Sequence, residues 1–307
     1  MKVNNGMVKK YKNKKAGERI LHTYNQLLKI WGCELIERDV ETAYGTVHVI
    51  ETGKENGIPM ILFHGVGDDS ALMWVYNAKR LGERYKLYAI DTMGGPGKSV
   101  PNENYNKDFD DIKCIDEVLN GLCIDRAIIV GVSNGAYLVQ SYTLNRPEKV
   151  IKGICIAGSV AVGGKKMAML AIIKIFMPEA LFPTEKNMVK LVRKLCGSHY
   201  TEFSDNSVVM EHFQSVLKGF NNVAMGYHKV DGFSPEEIDK IRGKITYLVG
   251  EEDPFQKLGG KGLLIENRMD AIFYEDAGHA LNHELHDEIN ENIIEMVDQA
   301  IEREMNI

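Results

Sequence analysis

Residues 126–144 read Arg-Ala-Ile-Ile-Val-Gly-Val-Ser-Asn-Gly-Ala-Tyr-Leu-Val-Gln-Ser-Tyr-Thr-Leu. Arg126–Val130 is a short apolar run of strand length, and Asn134–Leu144 has helical character. Between them lies Gly131-Val132-Ser133-Asn134-Gly135, a G-x-S-x-G pattern. A strand that turns abruptly into a helix around a serine lifts the hydroxyl above the sheet edge, within reach of a base and a substrate. Gly131 and Gly135, two residues either side, let the backbone close on itself without a clashing Cβ. Three set positions in five recur by chance; the strand before and the helix after give the pattern its weight.

Working outward, strands and helices alternate. Gly45–Glu51, Pro59–Phe63, Lys86–Ile90, Arg126–Val130, Val150–Ile156, Lys244–Val249 and Ala271–Tyr274 read as strands. Helical patterns fall at Ala71–Arg84, within Tyr105–Cys123, after Ser133, and from about Asp287 to the C-terminus. This rhythm predicts right-handed βαβ units and a mostly parallel sheet with helices on both faces. Upstream, Ile20, Tyr24, Leu27, Leu28 and Trp31 are spaced for an amphipathic helix docked on the main domain. The alternation breaks after Gly158. Residues 163–230 are helix-like and rich in methionine (Met167, Met169, Met177, Met188, Met210, Met225), which predicts a helical insertion over the site. Most of these methionines are expected to form core between insertion and sheet. The expected organisation is a basic tail and helix over 1–38, a core over 39–158 and 236–307, and a helical cap over 159–235.

The bulk properties exclude several functions. The chain has 307 residues, 44% hydrophobic, with a net charge of −6. A nucleic-acid partner would leave a basic footprint that is missing here. Five cysteines, widely spaced and without a C-x-x-C pair, argue against a disulfide or zinc framework and fit a cytoplasmic protein. Cys155 lies in an apolar run and reads as a small buried hydrophobe. The lysine-rich start has no apolar run behind it, so it is not a signal peptide; it reads as a solvated, partly disordered tail. No run approaches the ~20 apolar residues of a spanning helix, so stable membrane insertion is not expected.

A serine hydroxyl needs a base, and the base an orienting acid. Of nine histidines, His279 in Gly278-His279 directly follows the last expected strand. His64 also follows a strand, but a supporting role suits it better. His279, His283 and His286 have a metal-like spacing without the H-E-x-x-H pattern, so no metal is expected. The acid should lie between serine and histidine in the chain. Val249-Gly-Glu-Glu-Asp-Pro254 offers three carboxylates, of which Asp253, stiffened by the proline, is chosen over Glu251 and Glu252. An oxyanion needs preorganised N–H donors. Asn134, after the serine, supplies one. Val66 in His64-Gly65-Val66-Gly67 supplies the other, where Gly65 and Gly67 allow close approach to a substrate.

Taken together, His64-Gly65-x-Gly67, Asp91-x-x-Gly94-x-x-Gly97-x-Ser99, Gly131-x-Ser133-x-Gly135, Gly250-x-x-Asp253 and Gly278-His279 resemble the α/β-hydrolase superfamily over residues 40–300. The resemblance implies an eight-stranded, mostly parallel sheet, a cap inserted after the sixth strand, and a Ser133-Asp253-His279 triad with Val66 and Asn134 as the oxyanion hole. Many members with a serine nucleophile are carboxylesterases. One departure is the loop Thr92-Met-Gly-Gly-Pro-Gly-Lys-Ser99, which lacks the arginine of the usual R-G-x-G-x-S. Two decoys fall away. Gly97-Lys98-Ser99 lacks the first glycine of a phosphate loop, since position 92 is Thr92. Gly65-Val-Gly67 lacks the third glycine of a dinucleotide turn, since position 70 is Ser70.

The expected activity is cleavage of a small-molecule carboxylic ester through an acyl-enzyme, without a cofactor. The same triad serves thioesterases, lactonases, C–C bond hydrolases and acyltransferases, and a low-turnover ligand sensor would keep the same pocket. Ser133 argues against the branch with an aspartate nucleophile. Acyl and alcohol preference and oligomeric state stay open.

Overall fold

The computed structural model describes residues 8–160, 164–177, 179–256 and 259–305. Nine strands form one sheet: β1 (Leu35–Thr42), β2 (Gly45–Gly53), β3 (Pro59–Phe63), β4 (Lys86–Ile90), β5 (Val100–Pro101), β6 (Ala127–Val132), β7 (Val150–Ile156), β8 (Ile245–Gly250) and β9 (Asp270–Tyr274). Their order is β1-β2-β4-β3-β6-β7-β8-β9, with β5 beside β2. The first two pairings along this order are antiparallel. From β4 to β9 every pairing is parallel.

Parallel strands need crossovers, and the crossover helices cover both faces. β6 and β8 are therefore buried at every position. Successive residues alternate between two cores. Leu62, Val130, Ile154 and Leu248 join Tyr24 and Ile293 of the N- and C-terminal helices. Their neighbours Ile61, Ile129, Cys155 and Tyr247 join Val118 and Tyr142 on the opposite face.

Three details depart from expectation. The sheet has nine strands rather than eight, because the two-residue β5 pairs with β2. β1 begins at Leu35, so the expected boundary at residue 38 falls inside a strand of the sheet. The helix expected over Ala71–Arg84 is two pieces, Ser70–Met73 and Ala78–Gly82. The turn between them aims the buried Asn77 amide at Asn290 Oδ1 (2.8 Å) and the Asn282 carbonyl (3.2 Å). That docks the C-terminal helix, His286–Met305, against the core.

The N-terminal helix, Lys14–Ile30, is capped by Asn13 and buries Ile20, Tyr24, Leu27 and Leu28 as its spacing predicts. Trp31 behind it donates to the Ala71 carbonyl at 2.9 Å. The lysine-rich start is not wholly a solvated tail. Its first seven residues lie outside the described ones, but Tyr11 bridges to Phe220 and its hydroxyl reaches the Pro96 carbonyl at 2.9 Å. Lys10 donates to the carbonyls of Gly97 (2.7 Å) and Ser99, and burial lowers its pKa to about 8.

Between β7 and β8 stand the helices Gly164–Phe176, Glu185–Leu195, Thr201–Ser204 and Ser207–Gly219, before Pro235–Ile241 leads back to the sheet. Met188 and Met225 are buried there, while Met177 is exposed. Side chains of 164–169 lie outside the described residues, Met167 and Met169 among them. No described helix is long and apolar enough to cross a membrane.

Candidate active site

All six parallel strands point their C-terminal ends at one rim of the sheet, and the chain leaves that rim through loops that carry reactive groups. His64 follows β3, Ser133 follows β6, Asp253 follows β8 and His279 follows β9.

Ser133 has φ of 56° and ψ of −112°, a left-handed backbone that costs a non-glycine residue about 1–3 kcal/mol. The turn is held by its surroundings. Ser133 N–H donates to Ile156 O at 2.9 Å. A Cβ on Gly131 would lie 2.2 Å from the Gly135 carbonyl oxygen, and one on Gly135 would lie 2.3 Å from the Phe63 oxygen. Only glycine lets the elbow close this tightly against β3. Asn134 then starts the helix Asn134–Asn145, where N–H groups have no intrahelical acceptor.

The loop after β3 lies alongside. A Cβ on Gly65 would be 3.4 Å from Ser133 Cβ, Gly67 has φ of 72°, and Val66 between them is exposed. His64 sets this loop. Its Nε2 accepts the Thr92 N–H at 2.9 Å, so the ring's proton sits on Nδ1, which donates to Gly65 O at 2.8 Å. Burial pushes this imidazole's pKa down, which keeps it neutral. Counted back from Ser99, the place of the missing arginine falls on Gly94, which has φ of 78° and where a Cβ would lie 2.4 Å from Tyr105 Oη. Asp91 organises the rest of that loop, accepting from Ser70 N (3.0 Å), Tyr24 Oη (3.0 Å) and Lys98 N (2.7 Å). A Cβ on Gly97 would collide with its carboxylate.

Across the rim, His279 Nδ1 lies 2.8 Å from Asp253 Oδ2. Asp253 is buried, and its other oxygen accepts Phe255 N–H at 2.7 Å. Of the three loop carboxylates only Asp253 meets a histidine; Glu251 pairs with Lys261, and Glu252 is exposed. With Nδ1 engaged, Nε2 is the nitrogen free for proton transfer. The Phe255 ring packs 4.5 Å from the imidazole and limits its rotation. His283 instead donates from Nε2 to Leu72 O (3.0 Å), and His286 lies beside Asp287 (3.1 Å). No three His, Cys, Asp or Glu side chains among the described residues are grouped to hold a metal ion.

The family described as the α/β hydrolase fold matches residues 58–174, which include β3, the elbow and β7. The chain has the α/β-hydrolase fold. Two proteins of Bacillus subtilis (strain 168) are similar along nearly its whole length. The uncharacterized carboxylesterase nap is 26% identical over 298 residues, covering 91% of this chain and 92% of its own. Carboxylesterase YbfK is 22% identical over 285 residues, covering 91% and 93%. The crystal structure of naproxen esterase from Bacillus subtilis aligns with a TM-score of 0.78 at 22% identity, over 93% of this chain and 99% of that one. At that identity the likeness is one of fold.

Two buried groups near the candidate site were missed by the sequence reading. Glu284 accepts Gly278 N–H at 3.0 Å, next to His279, and also Gly197 N–H in the helical segment between β7 and β8. Beside it, His279 N–H donates to Leu195 O (2.6 Å) and Ser198 N–H to Asp276 O (3.0 Å). Burial raises the Glu284 pKa to about 7. The second is a chain through Thr23 Oγ1, His212 Nδ1 (2.8 Å), His212 Nε2 and Asp69 Oδ2 (2.8 Å). It ties the N-terminal helix to the helix Ser207–Gly219 and to the end of the His64-Gly65-Val66-Gly67 loop. Both the imidazole and the carboxylate are fully buried. No local pattern marks either group, because Gly197 lies 87 residues from Glu284 and His212 lies 143 from Asp69.

Proposed function

We propose that this protein is a serine carboxylesterase that uses Ser133, His279 and Asp253. The observation that carries the reading is the strained Ser133 on the same sheet rim as an imidazole bound through Nδ1 to a buried carboxylate. Carboxylesterases similar along the whole chain support it.

In this reading His279 Nε2 takes the Ser133 hydroxyl proton as Oγ attacks the ester carbonyl. The N–H groups of Val66 and Asn134 hold the resulting oxyanion. Asp253 stabilises the imidazolium without itself taking the proton. Collapse expels the alcohol, which leaves with the proton from Nε2. Water then attacks the acyl-enzyme with His279 again as base, and Ser133 regains its proton. No cofactor enters any step. The exposure of Val66 and half-exposure of Ser133 leave the entrance open to small esters.

The test is p-nitrophenyl acetate hydrolysis and fluorophosphonate labelling of wild type and Ser133→Ala. The variant is expected to lose labelling and at least about a thousandfold in kcat while melting cooperatively. Turnover by Ser133→Ala at the wild-type rate rejects the assignment. Labelling of the wild type without turnover favours a ligand sensor.

A further inference from the structure

The cap carries a surface that the proposed chemistry does not use. Leu170, Ile172, Ile173, Met177, Leu181 and Phe182 are exposed, Leu170 at 62% and Phe182 at 68%. They follow one another along a single stretch, the helix Gly164–Phe176 and the turn that leads to Glu185–Leu195. Leu170, Ile173, Lys174 and Met177 have the spacing of one helix face. Lys186 and Lys190 stand one turn apart on the next helix, whose opposite side buries Met188, Leu191 and Val192. Lys194 joins the two helices by reaching Glu179 and, at 3.5 Å, the carbonyls of Ile175 and Met177. Lys194 thereby ties the segment that carries these residues to the helix that carries Lys186 and Lys190.

Its charge runs against that of the rest of the protein. Residues 164–195 hold seven lysines and arginines against two glutamates, in a chain whose net charge is −6. Glu179 is paired with Lys194, whereas Lys174, Lys186 and Lys190 are exposed and make no ion pair among the described residues. Contiguous exposed apolar surface marks an interaction site. Apolar side chains interleaved with free lysines fit a surface that is hydrocarbon below and anionic above. A second copy docked face to face would bring two positive patches together.

We infer that the Leu170–Phe182 face of the cap, with Lys174, Lys186 and Lys190, docks on an anionic phospholipid bilayer. The helix Gly164–Phe176 lies along the interface and does not cross it. The inference does not depend on Ser133, so it stands or falls apart from the esterase reading.

The test is co-sedimentation of the full chain with phosphatidylglycerol/phosphatidylcholine vesicles and with phosphatidylcholine alone. Binding is expected to the anionic vesicles and to weaken with salt. Each lysine near such a surface contributes about fivefold, so Lys174→Gln/Lys186→Gln/Lys190→Gln is expected to weaken binding about a hundredfold. Leu181→Ser/Phe182→Ser is expected to weaken it at least about tenfold. Both variants should keep wild-type turnover of a short soluble ester, which reports an intact fold. Equal binding to neutral vesicles, no binding, or unaltered binding by both variants overturns the inference. So does a concentration-dependent dimer that Phe182→Ser dissociates.

Discussion

The carboxylate of Glu284 and the backbone N–H of Gly278 meet at 3.0 Å, one residue before His279. The same carboxylate holds Gly197 of the helical segment between β7 and β8. Glu284 therefore ties the placement of that segment to the backbone that presents the imidazole. Its charged form is disfavoured by burial and by Asp253 and Glu252 nearby, and its pKa rises from 4.5 to about 7. Over that window the folded state binds the proton that the unfolded state has lost, so this group makes stability fall as pH rises from 4.5 to 7. Glu284→Gln removes that dependence. Thermal melts at pH 5 and pH 8 are expected to show the variant gaining on the wild type at the higher pH. Parallel curves would contradict this account.

Asp253 is expected to act through His279 alone. Asp253→Asn leaves the shape of the loop but no longer holds the ring with Nδ1 protonated and no longer stabilises the imidazolium. The comparable change in other serine hydrolases costs about 10⁴ in kcat. A loss of about 10³–10⁴ in kcat at pH 7, with KM within a few-fold, is expected in steady-state ester hydrolysis. Glu251→Gln, which removes the partner of Lys261, should stay within a few-fold of wild type. Equal losses in the two variants would remove Asp253 from its role.

What was legible in the sequence follows from burial. β3, β4 and β7 match their expected limits to the residue, because strands covered on both faces are continuous apolar runs. β1 was invisible because it is a polar edge strand in which only Val40 is buried. Its Glu37 and Asp39 instead hold His48, at 2.9 and 2.8 Å. The elbow and the His279 loop were readable because their constraints are local: glycines that must approach backbone, and groups that must follow strand ends. The Asp69–His212 contact joins residues 143 apart, and no spacing rule reaches that far. The helices between β7 and β8 were visible as a break in rhythm, but which side faces outward came only from the structure.

The elbow's glycines give a direct contrast. A Cβ on Gly135 would sit 2.3 Å from the Phe63 carbonyl oxygen, a backbone atom that cannot swing aside. Gly135→Ala is expected to cost about 2–4 kcal/mol in chemical denaturation, by forcing β3 and the elbow helix apart. Gly262, inside the helix Lys261–Glu266, has nothing within 4 Å of such a Cβ. Gly262→Ala is expected to stabilise by about 0.5–1 kcal/mol through chain entropy and helix propensity. A Gly135→Ala protein as stable as wild type would mean the elbow packs more loosely than described.

Asp69 and His212 supply the remaining prediction. Burial opposes both charges, yet each partner outweighs it: the imidazole holds the Asp69 pKa below 3.8, and the carboxylate holds that of His212 above 6.5. The depressed carboxylate stabilises above its unfolded pKa and loses that contribution as pH falls through its folded value. The raised imidazole stabilises below 6.5 and loses its contribution as pH rises through its folded value. The pair therefore contributes most between 3.8 and 6.5. Asp69→Asn strands a buried imidazole and loosens the cap of the helix Ser70–Met73, whose Leu72 N–H Asp69 accepts at 3.1 Å. A loss of about 3–5 kcal/mol is expected near pH 5.5, where the charged pair is intact. The loss should shrink above the folded pKa of His212, where the imidazole is neutral in both proteins. Melts of the two proteins from pH 5 to pH 9 check this, and a penalty independent of pH would mean that His212 is neutral throughout.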